Sequence, residues 1–144
     1  MYKLTGKEDG WKTLPAVEVP EEAKLPVGPV IVPLAVWRAK KSELIRREHE
    51  HGWPLGVWLS ANEGIDAIEN DVDDFTVIAI EFDRYSDGIG YVSARTLRKI
   101  GYSGELRAFG EISGKIARLK HFGFDSFSAE KTAQRTAGRL SLAR

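Results

Sequence analysis

Two short runs, Leu55-Gly-Val-Trp-Leu59 and Thr76-Val-Ile-Ala-Ile80, carry almost nothing polar on either side. A strand with one face in water alternates apolar and polar residues, so a strand without that alternation needs apolar cover on both faces. With Val30 to Val36, Phe75 to Phe82, Glu105 to Phe109 and Ser126 to Ser128, the Leu55 to Leu59 run makes five candidate strands. Between them the apolar spacing changes to the helical period. Leu44 and Ile45 mark a helix from about Ser42, whose hydroxyl caps the first turn. Ile65, Ile68 and Val72 suggest a second, and Ile89, Val92, Thr96 and Ile100 a third. Ile116, Leu119 and Phe122 repeat the pattern before Gly123, a left-handed stop. Ala129 to Ala143 reads as a terminal helix with an Arg face.

Parallel strands cannot be joined by a tight turn; they need a crossover, usually helical. The expected class is therefore α/β, built of repeated βα units on a mainly parallel sheet. Two arrangements cover both faces of such a sheet: a partial TIM-barrel-like fold, or an open flavodoxin-like three-layer sandwich. A complete eight-unit barrel takes roughly 250 residues, more than this chain of 144. Alternation favours the partial barrel, because it puts Val77, Ala79 and Glu81 on one face, and Glu105, Arg107 and Phe109 on one face of the next strand. Residues 1–28 carry Pro15, Pro20 and Pro26 with Glu18, Glu21 and Glu22 between them. That texture predicts an extended N-terminal arm packed on a single domain of residues 29–144.

Composition removes several functions. Lys plus Arg and Asp plus Glu both number 21, so the electrostatic footprint of a general nucleic-acid binder is missing. No run approaches the ~18 apolar residues that span a membrane, and no signal peptide is written at the N-terminus; a cytoplasmic location is the default expectation. Cysteine is absent, which excludes a conventional iron–sulfur cluster and disulfide redox chemistry. His49-Glu50-His51 is not a metal motif on a helix, since positions two apart point to different sides. No metal site is expected.

The candidate chemistry lies at strand ends. Glu81 late in one strand and Arg107 in its neighbour could meet across a cavity, Glu81 as acid or base and Arg107 fixing an anionic substrate. The structural alternative is a buried salt bridge. Such a cavity needs closing, and a homodimer is one way to close it. Ser86-Asp-Gly-Ile-Gly90 is a near miss to the dinucleotide fingerprint, with two glycines before a helix. Asp87 opposes a phosphate there and suits a helix cap. Ser86, Asp87, Gly88 and Gly90, with Glu111 and Ser113 on the following loop, form the anion-binding or ligand-binding candidate set, each of them also able to serve a turn or cap.

Pro29-Val-Ile-Val-Pro-Leu-Ala-Val-Trp37, Leu55-Gly-Val-Trp-Leu-Ser-Ala-Asn-Glu63, Ile78-Ala-Ile-Glu-Phe82, Asp87-Gly-Ile-Gly-Tyr91, Gly104-Glu-Leu-Arg-Ala-Phe-Gly110 and Gly123-Phe-Asp-Ser-Phe127 together resemble successive blocks of a bacterial family, domain of unknown function 934. The likeness runs from about Trp11 to Phe127. It departs from the family pattern at Ile89, where an Arg is usual. The family carries the provisional label of an oxidoreductase of sulfite reduction, and its genes often neighbour assimilatory sulfite reductase. The resemblance thus implies an accessory protein or redox partner in sulfur assimilation, with sulfite reductase or another sulfur-assimilation enzyme as its partner. If electrons pass through the protein, a flavin is the cofactor class that the missing cysteines leave.

Overall fold

The computed structural model describes residues 3–4, 10–84 and 87–128. Among these residues seven strands form one sheet: β1 (Lys3–Leu4), β2 (Lys12–Thr13), β3 (Val30–Pro33), β4 (Leu55–Leu59), β5 (Val77–Phe82), β6 (Glu105–Gly110) and β7 (Ser126–Ser128). The described residues also hold three α-helices, α1 (Leu34–His51) between β3 and β4, α2 (Asp87–Lys99) between β5 and β6, and α3 (Ile116–His121) between β6 and β7. All pairings are parallel, and the order is β1-β7-β6-β5-β4-β3-β2.

From β2 to β7 each strand lies beside its successor in sequence, with no reversal of direction. Because parallel crossovers are right-handed, a sheet that always steps the same way places every crossover on the same face. The core divides accordingly. Val30, Val32, Leu55, Val57, Ile78, Ile80, Leu106 and Ala108 pack with Trp37, Leu44, Ala94, Leu97 and Leu119 of the helices. Ile31, Trp58, Val77, Ala79 and Phe109 point the other way and pack among themselves and with Trp11, with no helical residue among those described. The arrangement is not the open flavodoxin-like sandwich, which needs helices on both faces. Curling is the remaining way to bury the helix-free face, and the sheet is curled into a half-barrel with helices between strands.

β1 and β2 stand at opposite edges of the sheet. The segment after β2 also helps cover the inner face, where the Trp58 indole N–H donates to the Leu14 carbonyl at 2.9 Å.

Several local expectations change. The strand read as Val30 to Val36 ends at Pro33, and α1 begins at once with Leu34, eight residues before the expected start at Ser42. The run Val-Ile-Val-Pro-Leu-Ala-Val-Trp is apolar across the junction, which conceals the change of period. A kink at Lys40 (φ −123°, ψ 28°) then interrupts the helix, so Ser42 follows a kink and does not cap a start. The expected second helix is two 3-10 turns, Ile65–Ala67 and Val72–Asp74. In α2 the stripe of Ile89, Val92, Thr96 and Ile100 does not face the core; Tyr91, Ala94 and Leu97 do. Gly123 ends the α3 region at φ +106° as expected. The terminal helix assigned to Ala129 to Ala143 lies outside the described residues.

Two contacts fix α2 on the sheet. A Cβ on Gly90 would stand 2.6 Å from the Phe82 ring, and that ring is held edge-on between Tyr91 at 5.2 Å and Phe124 at 5.6 Å. At the far end, Arg98 donates to the carbonyls of Tyr102 (2.8 Å), Gly104 (2.9 Å) and Gly123 (3.0 Å) and pairs with Asp125 at 2.6 Å. Asp125 in turn accepts from the Leu106 N–H at 2.9 Å. One guanidinium therefore joins the turns that enter β6 and β7.

Gly90→Ala and Gly88→Ala should shift stability in opposite directions. Overpacking against Phe82 costs about 1–3 kcal/mol, more than the alanine gains in helix propensity. At Gly88 nothing lies within 4 Å, so only the propensity gain of up to ~1 kcal/mol remains. Urea denaturation of both variants checks the sign. Tyr102 sets a pH limit: burial, opposed by Arg98 and assisted by Glu105 and Asp125, holds its hydroxyl well above the ordinary tyrosine value, and the hydroxyl donates to the Phe75 carbonyl at 3.1 Å. A pKa raised on folding leaves that stability present below about pH 10 and removes it as pH rises further. Tyr102→Phe should cost about 1–2 kcal/mol at neutral pH and flatten the alkaline fall in melting temperature.

Candidate functional site

The inner face is built in rows by the strand register. Ile31, Gly56, Val77 and Glu105 stand opposite one another in the lowest row. Pro33, Trp58, Ala79, Arg107 and Ser126 form the next, and Glu81, Phe109 and Ser128 the one above. Gly56 makes the lowest row possible, since a Cβ there would meet Ile31 and the Val77 carbonyl at 3.0 Å. Trp58 and Phe109 meet edge to face at 5.9 Å and fill the middle.

Glu81 and Arg107 therefore share the inner face on adjacent strands, one row apart. Both are buried, Glu81 at 8 % and Arg107 at 6 % exposure. The Arg107 guanidinium donates to the Glu105 carboxylate through Nε at 3.3 Å and Nη2 at 3.0 Å, and the fully buried Ser126 hydroxyl donates to the same oxygen. Glu105 and Ser126 each open their strands, so this triad sits toward the N-terminal end of the barrel, the end that in barrel folds serves stability. Ligands are bound at the C-terminal ends of strands. Glu81, fifth in β5, is the inner-face carboxylate nearest that end.

The anion-binding candidates are distributed around the same C-terminal edge. Asp87 and Gly88 open α2, with Gly88 exposed, whereas Gly90 turns inward against Phe82. In the fingerprint comparison Gly90 thus performs the helix-packing task of a third glycine. Glu111 is half-buried and Ser113 exposed on the loop after β6. That loop is fastened to the end of β5: the Glu111 N–H donates to the Phe82 carbonyl at 2.8 Å. Gly110 at φ +97° would place a Cβ 2.5 Å from the same oxygen, so only glycine fits there. Lys115 reaches the Asp83 carbonyl at 3.4 Å. Ser86 lies outside the described residues.

Glu105, Ser126 and Ser128 were not among the site candidates. Alternation had placed Glu105 beside Arg107 on one face, but the register that adds the two serines is a property of pairing between strands and carries no local signature.

Removal of one member of the triad should be expensive and removal of the pair should not. Glu105→Ala removes the carboxylate oxygen to which Arg107 and Ser126 both donate, at a cost of about 3 kcal/mol. Glu105→Leu combined with Arg107→Met should recover most of it. Chemical denaturation of the two single variants and the double variant gives the coupling; additive losses would show that the carboxylate and guanidinium do not act together.

No curated protein matches the chain. The family model described as bacterial protein of unknown function (DUF934) matches residues 56–144, from β4 through β7 and onward. That match spans more than half of the chain, and the protein belongs to the DUF934 family.

Proposed function

We infer that the chain is an accessory protein of assimilatory sulfite reduction that works by binding a reductase subunit in the cytoplasm. The observation that carries this reading is the state of the barrel interior. Trp58, Phe109, Ile31 and Val77 are close-packed there, and Glu105, Arg107 and Ser126 are joined to one another. An interior of that kind is a core, and it directs a functional role toward the outer surface. The sulfur-assimilation context comes from the family likeness of the strand blocks. A redox partner carrying flavin is the electron-transferring version of the same reading.

A second reading draws on a separate observation, the shared face of Glu81 and Arg107 on adjacent strands. In it the protein is a small-molecule enzyme, with Glu81 as acid or base, Arg107 holding an anionic substrate, and a second copy closing the half-barrel.

Co-expression with each sulfite reductase subunit, followed by affinity purification of this chain, separates these readings. The accessory reading expects one subunit to be retained in fixed proportion by a colourless chain; a yellow chain turns it to the flavin version. Retention of neither subunit overturns both versions. For the enzyme reading, Glu81→Gln should abolish turnover of an anionic substrate while leaving the melting temperature within a few degrees.

A further inference from the structure

The helical layer is thinnest at the crossover from β4 to β5. The crossovers on either side carry α1 and α2, whereas residues 60–76 supply only two 3-10 turns. Among the described residues the flank of α2 that faces this crossover has no helical neighbour, and it is apolar. Ile89 is 41 % exposed, Val92 64 % and Ile100 46 %. Ile89, Val92 and Thr96 on one wall and Ile65 on the other line a groove of about 380 Å³, and Ile100 continues the stripe by one turn. Gly64 and Gly88 stand at its walls with open space where a side chain would be, so another backbone can approach closely.

Charge gives the groove a sign. Residues 60–76 include Glu63, Asp66, Glu69, Asp71, Asp73 and Asp74 with no Lys or Arg, in a chain whose net charge is zero. Asp71 is matched on the α1 side by Lys41 at 3.3 Å, and Glu63 accepts from the Ser60 N–H at 2.8 Å. Asp66 and Glu69, which line the groove, make no ion pair among the described residues.

We propose that this groove docks a helix of a partner protein that presents an apolar stripe bordered by Lys or Arg. The proposal rests on the accessory reading and names its surface. A helix laid in this groove would cover Ile89, Val92 and Ile100 with anchors at helical spacing. Its basic residues would meet Asp66 and Glu69 at the rim, where complementary charge sets orientation and rejects acidic competitors. A second copy of this chain suits the groove less well. A two-fold contact between antiparallel α2 helices sets the acidic wall of each copy against that of the other.

Two designed helical peptides with the same leucine stripe, one bordered by lysine and one by glutamate, serve as probes and are titrated into the full chain by calorimetry. The lysine peptide should bind and the glutamate peptide should not. Val92→Asp, an exposed position whose change leaves the fold intact, should weaken binding at least tenfold. Asp66→Asn with Glu69→Gln should weaken it several-fold and remove its salt dependence. The proposal is overturned if the lysine peptide does not bind, or if binding ignores both sets of substitutions. It is also overturned if a peptide of residues 129–144 binds more tightly, or if sedimentation shows a dimer that Val92→Asp dissociates. Reductase retained by the Val92→Asp chain would remove the groove from the interaction and leave the accessory reading standing. A wild-type chain that retains no reductase removes that reading, and the peptide titration then judges the groove alone.

Discussion

One-directional strand order is the constraint on which the rest of the structure depends. Since parallel crossovers are right-handed, a sheet that steps from β2 to β7 without reversal receives all its helices on one side. The other side must bury Ile31, Trp58, Val77 and Phe109 by curvature. Curvature turns the inner residues of neighbouring strands toward one another. The half-barrel and its packed interior share this one origin.

Within that interior, polar groups are tolerated because they are joined. Arg107 is buried nearly as fully as the aromatic residues around it, and its position is sustainable because Glu105 lies two residues earlier on the same face with Ser126 beside it. The pair contributes less as net stabilisation than as a condition: either charge alone would be costly to bury. Glu81 occupies the row nearer the C-terminal edge, where α/β folds place their chemistry. Among the described residues the outer layer is thinnest beside α2, where the β4–β5 crossover holds only two 3-10 turns.

Much of the fold was legible in local pattern. Leu55 to Leu59 and Ser126 to Ser128 stand where apolar runs predicted, and the shared face of Glu81 and Arg107 follows from a period of two. Errors arose where pattern was ambiguous or balanced by tertiary contacts. Pro33 separates strand from helix inside an unbroken apolar run, so nothing in that run marks the change. The Ile89, Val92, Thr96 and Ile100 stripe has ideal helical spacing, yet Gly90, Ala94 and Leu97 face the sheet. Close approach to Phe82 demanded the small residues, and spacing of large apolar residues does not register that demand. Lys12–Thr13, too short and polar to suggest a strand, is one through its pairing with β3.

By itself the sequence determined the parallel βα plan, the absence of thiol chemistry and the placement of two ionisable groups on one strand face, because composition and side-chain period are properties of the chain before it folds. Only the tertiary structure decided that the plan closes toward a barrel, that Arg107 is joined to Glu105 and Ser126, and that the apolar stripe of α2 faces outward. Each of these depends on which strands become neighbours and in what register, and hydrogen bonding between distant segments sets both.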